Sequence, residues 1–119
     1  MKGMNMPQYL LLLYDDPSGW QKLSQPEREN AMVQYRSWGE KAQQTGFFVR
    51  ASKLTFDPGK VIRGPKPRVT DGPYSETKEV LGGYYLIEAA NYDEAVKRSL
   101  DHPHLQHGTI EVREIEVTR

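Results

Sequence analysis

From Gln8 to Tyr14 the chain reads Gln-Tyr-Leu-Leu-Leu-Leu-Tyr, an apolar run with aromatic residues near both ends. The run is far too short to cross a bilayer, which takes about 20 apolar residues in a helix. It suits a strand in the middle of a sheet, apolar on both of its faces and therefore in need of cover on both. A chain built around such a strand must supply covering layers from elsewhere in its sequence. The next element does so. Ser24 followed by Glu27 is a capping box, in which hydroxyl and carboxylate each satisfy an orphan backbone donor. A helix is expected from Gln25 to Thr45, stopping at Gly46. Ala31, Tyr35, Trp38 and Ala42 fall on one stripe of it, so one face packs on a sheet.

The remaining chain alternates between extended and helical signals. Asp15-Asp16-Pro17-Ser18-Gly19 reads as a loop. Phe47 to Phe56 is β-type in composition, and Asp57-Pro58-Gly59 is a turn that predicts Lys60 to Arg63 as the returning arm of a hairpin. Gly64, Pro65 and Pro67 interrupt that arm. Arg68-Val69-Thr70 is a short extended piece before a turn at Asp71-Gly72-Pro73. Gly82 to Ala89 is rich in aromatic and β-branched residues and reads as a central strand. Asn91 with Glu94 opens a shorter helix that Pro103 must end. Thr109 to Val117 is the last strand, in which Ile110 and Val112 share one parity and Ile115 and Val117 the other. A flat strand cannot bury both pairs on one side, so a bulge near Arg113 and Glu114, or packing of the second half on another subunit, is expected. The order is that of an α+β, ferredoxin-like β-α-β-β-α-β fold with an extra hairpin before the third core strand. Two helices cover one face of its sheet, and a second copy of the chain is the simplest cover for the other.

Composition bounds the rest. The 119 residues suit one domain, 1–119, with 16 basic and 16 acidic side chains and no formal net charge. A pI near 6.8 excludes the cationic surplus that drives nucleic-acid binding. No membrane segment and no secretory signal is evident, so a cytoplasmic location is expected. The absence of cysteine removes disulfides, thiolate catalysis and thiolate metal sites together.

The stretch Asp71-Gly72-Pro73-Tyr74-Ser75-Glu76-Thr77-Lys78-Glu79-Val80-Leu81-Gly82-Gly83-Tyr84-Tyr85-Leu86-Ile87-Glu88 resembles the signature of the DGPF-type branch of the YCII-related family, with Tyr74 and Ser75 where that signature usually has Phe and Ala. Residues 9–14 and 108–113 are similar to the family's first and last strands. The resemblance implies a subunit that dimerises face to face into an α+β barrel. It also implies an inherited site. Members of the broader family carry a histidine and an aspartate taken as a possible catalytic pair; the histidine position falls on Tyr35 here and the aspartate on Asp71. An unperturbed phenol, with pKa near 10, does not replace imidazole as a base without tuning.

Candidate site residues follow. Asp71 and Tyr35 are the catalytic candidates, although an Asp before Gly-Pro also bonds readily within its own turn. Tyr14, Glu76 and Lys78 are candidate ligand-binding residues at the mouth of a pocket, since loops entering core strands carry binding groups on a rigid scaffold. His102, His104 and His107 invite a metal reading, but nothing completes a site, and a solvated helix-end loop is expected instead. Lys60, Arg63, Lys66 and Arg68 read as a solvated hairpin arm. No cofactor is implied. Three functions stay open: an enzyme acting on an unidentified small molecule; a non-catalytic ligand-binding or accessory module of the transcription machinery, which the resemblance suggests because DGPF-type proteins are often encoded beside sigma-factor-like partners; and a structural homodimer. Fold alone does not choose among them.

Overall fold

The first helix boundary is set by three local interactions. In this computed structural model, which describes residues 6–74 and 77–117, the Ser24 hydroxyl accepts the Glu27 N–H at 3.2 Å and the Glu27 carboxylate accepts the Ser24 N–H at 2.8 Å. Gly46 closes the helix at φ 96°, a left-handed conformation that glycine adopts without a Cβ clash, and its N–H reaches the Ala42 and Gln43 carbonyls. The helix runs Gln25–Thr45, as expected. It is the second of three α-helices among the described residues, because the expected loop after the first strand is itself a short helix. Asp16 accepts from the Ser18 N–H at 3.0 Å and Pro17 takes the first helical position. Asp-Pro opens a turn or caps a helix with equal ease, and the structure uses it as a cap.

In chain order the elements are β1 (Gln8–Asp15), α1 (Pro17–Gln21), α2 (Gln25–Thr45), β2 (Phe48–Lys53), β3 (Lys60–Arg63), β4 (Arg68–Asp71), β5 (Val80–Glu88), α3 (Tyr92–Ser99), a 3-10 turn (Pro103–Gln106) and β6 (Gly108–Glu114). Four strands form one antiparallel sheet in the order β2-β5-β1-β6. This is an α+β arrangement compatible with a ferredoxin-like core, β1 and β5 being its two central strands. The hairpin is where expectation and structure differ. Lys60–Arg63 does not return along β2; it pairs with Arg68–Asp71 in a separate two-stranded ribbon. The Asp57-Pro58-Gly59 turn leads the chain away from the sheet, while β2 pairs with β5 and the Leu54 N–H continues that pairing to the Gly82 carbonyl. The standing ribbon makes the molecule broad and flat, 46 × 45 × 19 Å, with a radius of gyration of 16.3 Å where a compact chain of this length has roughly 13–14 Å.

The core lies on one face of the sheet. Tyr9, Leu11 and Leu13 of β1 and Ile87 of β5 pack there against Trp38, Ala42 and Ala95 from the helices, with Ile110 and Val112 of β6 at the margin. On the opposite face stand Leu10, Leu12 and Tyr84, half-buried, and Leu86. β1 is thus not buried on both faces within one chain: its burial alternates, because the core residues of the helices pack on the face of Tyr9, Leu11 and Leu13. The phase change in the last strand has a simple origin. Pairing of β6 with β1 runs without a break from Asp15↔Gly108 to Tyr9↔Glu114, so there is no bulge near Arg113. The strand ends at Glu114, whose N–H is taken by the Tyr92 hydroxyl at 2.8 Å, and Val117 lies beyond it, 71% exposed.

One glycine fixes how β6 meets the end of β1. A Cβ at Gly108 would lie 2.0 Å from the Tyr14 carbonyl oxygen, 2.9 Å from Asp15 Cβ and 3.0 Å from His104 Nε2. Gly39, inside α2, would meet nothing within 4 Å. Gly108→Ala should therefore cost about 3 kcal/mol or more through overpacking against backbone, while Gly39→Ala should stabilise by about 0.5–1 kcal/mol through helix propensity. Urea unfolding of both variants checks the contrast, and equal effects would contradict the close approach at Gly108.

Candidate functional site

The carbonyl of Tyr14, at the edge of the clash zone around Gly108, anchors a polar chain. His104, on the 3-10 turn, places its Nε2 at 2.9 Å from that oxygen, and its Nδ1 at 2.8 Å from the Tyr35 hydroxyl on α2. A carbonyl only accepts, so Nε2 carries the proton, Nδ1 presents a lone pair, and the Tyr35 hydroxyl donates to it. The result is a hydroxyl-imidazole-carbonyl relay with a fixed tautomer. His102 builds the turn beneath it. Its Nδ1 accepts the His104 N–H at 3.1 Å, which caps the 3-10 turn. Its ring sits 4.3 Å from the Trp38 ring and edge-on to Tyr85 at 4.6 Å, with Tyr35 at 5.8 Å. Its Nε2 has no hydrogen-bond partner among the described residues.

Burial sets the charge states. His102 and His104 are 2% and 4% exposed. Burial pushes the His102 pKa from 6.5 down to about 4, with the neighbouring His104 adding to the effect and Asp101 opposing it. It also lowers His104, against the opposing pull of the Tyr14 carbonyl and the Asp15 charge. Tyr35 is driven well above the usual phenol range by burial, reinforced by Asp15 and Tyr85. At neutral pH the relay is uncharged throughout, which is the state its hydrogen bonds need.

Tyr35, His104 and Asp15 line a cleft of about 1460 Å³. Its walls include Trp20 of α1, Met32 of α2 and Phe56 and Tyr74 around the ribbon. It is larger than the roughly 300–1,000 Å³ of an ordinary ligand pocket, and residues 56–61 with Pro73 and Tyr74, at the base of the ribbon, form one of its sides. A second, smaller groove of about 370 Å³ lies between α2 and α3, where the Trp38 indole donates to Asp101 at 2.9 Å.

The expected site residues fare differently. Tyr35 faces inward as its helix stripe requires. Tyr14 contributes its backbone carbonyl, whereas its phenol points to the uncovered face of the sheet and donates to Glu111 at 3.1 Å. Asp71 is at the end of β4, its side chain 79% exposed and paired with Lys60 at 2.5 Å. It is not among the residues lining the cleft, so the expected convergence of Asp71 with a tyrosine does not occur. Lys78 is exposed, and its charge acts on Asp16. Glu76 lies outside the described residues. The expected solvated histidine loop is a correction: two of its three histidines are core residues. Pro103 between them starts a 3-10 turn that folds the segment back on α2 and β6, and a His immediately before Pro, capping as Ser or Asn does elsewhere, was the signal available. Among the described residues no group of three or more His, Cys, Asp or Glu side chains is placed to hold a metal ion, and no helix is long and apolar enough to cross a membrane.

The buried histidines predict an acid-sensitive fold. Both have native pKa values below the unfolded value, so the unfolded chain binds more protons. The stability they contribute is complete above about pH 6.5 and is lost as pH falls through the native values. From His102 alone, acidification from pH 7.5 to pH 5 should cost roughly 2 kcal/mol, a window above most carboxylate titration. Denaturant unfolding at the two pH values checks it. His102→Asn, which keeps a capping acceptor but does not titrate, should flatten the profile; an unchanged slope would contradict the assignment.

Similarity to known proteins identifies the family. The chain is 33% identical over 116 residues to an uncharacterised protein of Rhizobium meliloti (strain 1021), covering 88% of this chain and 89% of the relative. Residues 7–119 match the family model described as the YCII-related domain. The α+β core, the cleft beside β1 and the Tyr35-His104 relay thus belong to a member of the YCII-related family.

Proposed function

We propose that this YCII-related protein is an enzyme acting on a small molecule by general acid-base catalysis, with the Tyr35-His104 pair at its centre. The observation that carries this is the 2.8 Å contact between Tyr35 and a tautomer-fixed His104 at the wall of a large cleft. A substrate proton passes to the Tyr35 oxygen as the phenol proton passes to His104 Nδ1. The imidazolium formed keeps its Nε2–H on the Tyr14 carbonyl and gains from the Asp15 charge, which favours the protonated ring. The lone-pair nitrogen supplies the base that an isolated phenol lacks. Tyr35 therefore works at the family's histidine position with His104 behind it, and Asp71 belongs to the ribbon at the cleft's rim.

We further propose a homodimer of the DGPF-type branch. Leu10, Leu12, Tyr84 and Leu86 form an apolar band on the uncovered sheet face, and Phe56, Ile62, Val69 and Tyr74 are exposed around a ribbon that a lone two-stranded hairpin would hold only marginally. A second copy satisfies both at once. Light scattering at micromolar concentration should give about twice 13.7 kDa, with an interface above roughly 1,200 Å²; a monomer would contradict it.

The enzyme proposal is tested by incubating the protein with a metabolite extract and following consumption by mass spectrometry. Wild type should deplete a compound that Tyr35→Phe depletes at least about 100-fold more slowly, the scale of a lost acid-base group, while the variant, destabilised by about 1–3 kcal/mol for the unpaired Nδ1, stays folded at the assay temperature. Equal depletion by Tyr35→Phe would overturn the role of the phenol.

A further inference from the structure

We infer that the ligand of this cleft is an amine, its ammonium group seated on Asp15 and its apolar or aromatic body on the aromatic wall. The reaction assigned to the site rests on the acid-base reading above, but the binding preference does not. Among the described residues, four charged side chains line the cleft: Asp15, Lys53, Asp57 and Lys60. Three are already engaged. Asp57 accepts the Gly59 N–H at 2.7 Å, Lys60 is held by Asp71 at 2.5 Å, and Lys53 lies 3.9 Å over the Phe56 ring while donating to the Leu54 carbonyl. The Asp15 carboxylate has neither hydrogen bond nor ion pair among the described residues, although the residue is half-buried at the end of a central strand. A carboxylate partly withdrawn from water and left unpaired is costly unless something else pairs it.

What surrounds Asp15 selects the partner. Gly82 and Gly108 flank it without side chains: a Cβ at Gly82 would be 3.4 Å from Asp15 Oδ1. Trp20, Tyr35 and Tyr85 line the same cleft, Tyr35 close enough to be acted on by the Asp15 charge, and an aromatic face near a carboxylate adds to its attraction for a cation. Tyr35 and His104 are neutral and offer an anion no countercharge, and the neighbouring Asp16 adds negative charge, offset from outside by Lys22 and Lys78. A carboxylate or phosphate is therefore disfavoured at this end, and a neutral hydroxyl gains little.

The test compares three probes of similar shape on the full chain at pH 7.5: 2-phenylethylammonium, 2-phenylethanol and phenylacetate, followed by tryptophan fluorescence and amide chemical shifts. The amine should bind at least tenfold more tightly than the alcohol, with shifts at Asp15, Trp20 and Tyr35. Phenylacetate should bind more weakly than either. Asp15→Asn should erase the preference for the amine, and Tyr35→Phe should keep it, which separates this inference from the catalytic one. Equal or tighter binding of phenylacetate, no amine preference in wild type, no binding of any probe, or full amine affinity in Asp15→Asn would each overturn it. The wild-type comparison among probes decides the matter even where Asp15→Asn does not fold.

Discussion

The end of β1 is the point on which the rest of the structure depends. β1 lies between β5 and β6, and its side chains Tyr9, Leu11 and Leu13 are the floor of the core. Tyr14 is the next-to-last residue of the strand, beside the cleft, and there its carbonyl takes the His104 imidazole N–H. That bond joins sheet to turn, and the turn to α2 through Tyr35. It exists because Gly108 lets the start of β6 come within van der Waals limits of the same carbonyl. One backbone oxygen thus links sheet, turn and helix and orients the His104 and Tyr35 side chains of the cleft.

The fold was largely legible in the sequence because its signals are local. Ser24, Glu27 and Gly46 bracket α2 by hydrogen bonds made within a few residues, and Asn91 caps α3 in the same way, accepting the Glu94 N–H at 2.9 Å. The spacing of Ala31, Tyr35, Trp38 and Ala42 showed which side of α2 faces the sheet. The differences arise where two local solutions have similar free energy and a distant contact decides. Asp16-Pro17 caps a helix instead of opening a loop. Lys60–Arg63 finds Arg68–Asp71 instead of β2, because β2 is committed to β5 by long-range pairing.

The site was legible in part. Tyr35 lies on a periodic stripe and its inward direction follows from helix geometry. His102 and His104 sit in a short irregular segment, where neither periodicity nor composition tells buried from solvated. Their burial comes from contacts with Trp38, Tyr85 and Tyr35, residues up to 69 positions away in the chain. Asp71 illustrates the opposite case: a residue marked by its motif stands at the exposed end of a ribbon strand, held by Lys60. The candidate site at this cleft therefore consists of side chains brought together by topology, beside a motif whose first residue stands on the ribbon.

The central claim is that His104 is a neutral imidazole with its proton on Nε2 and its lone pair on the Tyr35 hydroxyl. Long-range ¹H-¹⁵N correlation of the histidine side chains across a pH titration measures this directly. The account predicts an Nε2–H tautomer for His104 at pH 7, a pKa below the ordinary 6.5, and a shift of the Nδ1 resonance in Tyr35→Phe. An Nδ1–H tautomer, or a His104 that titrates at or above 6.5 and ignores Tyr35→Phe, would contradict it.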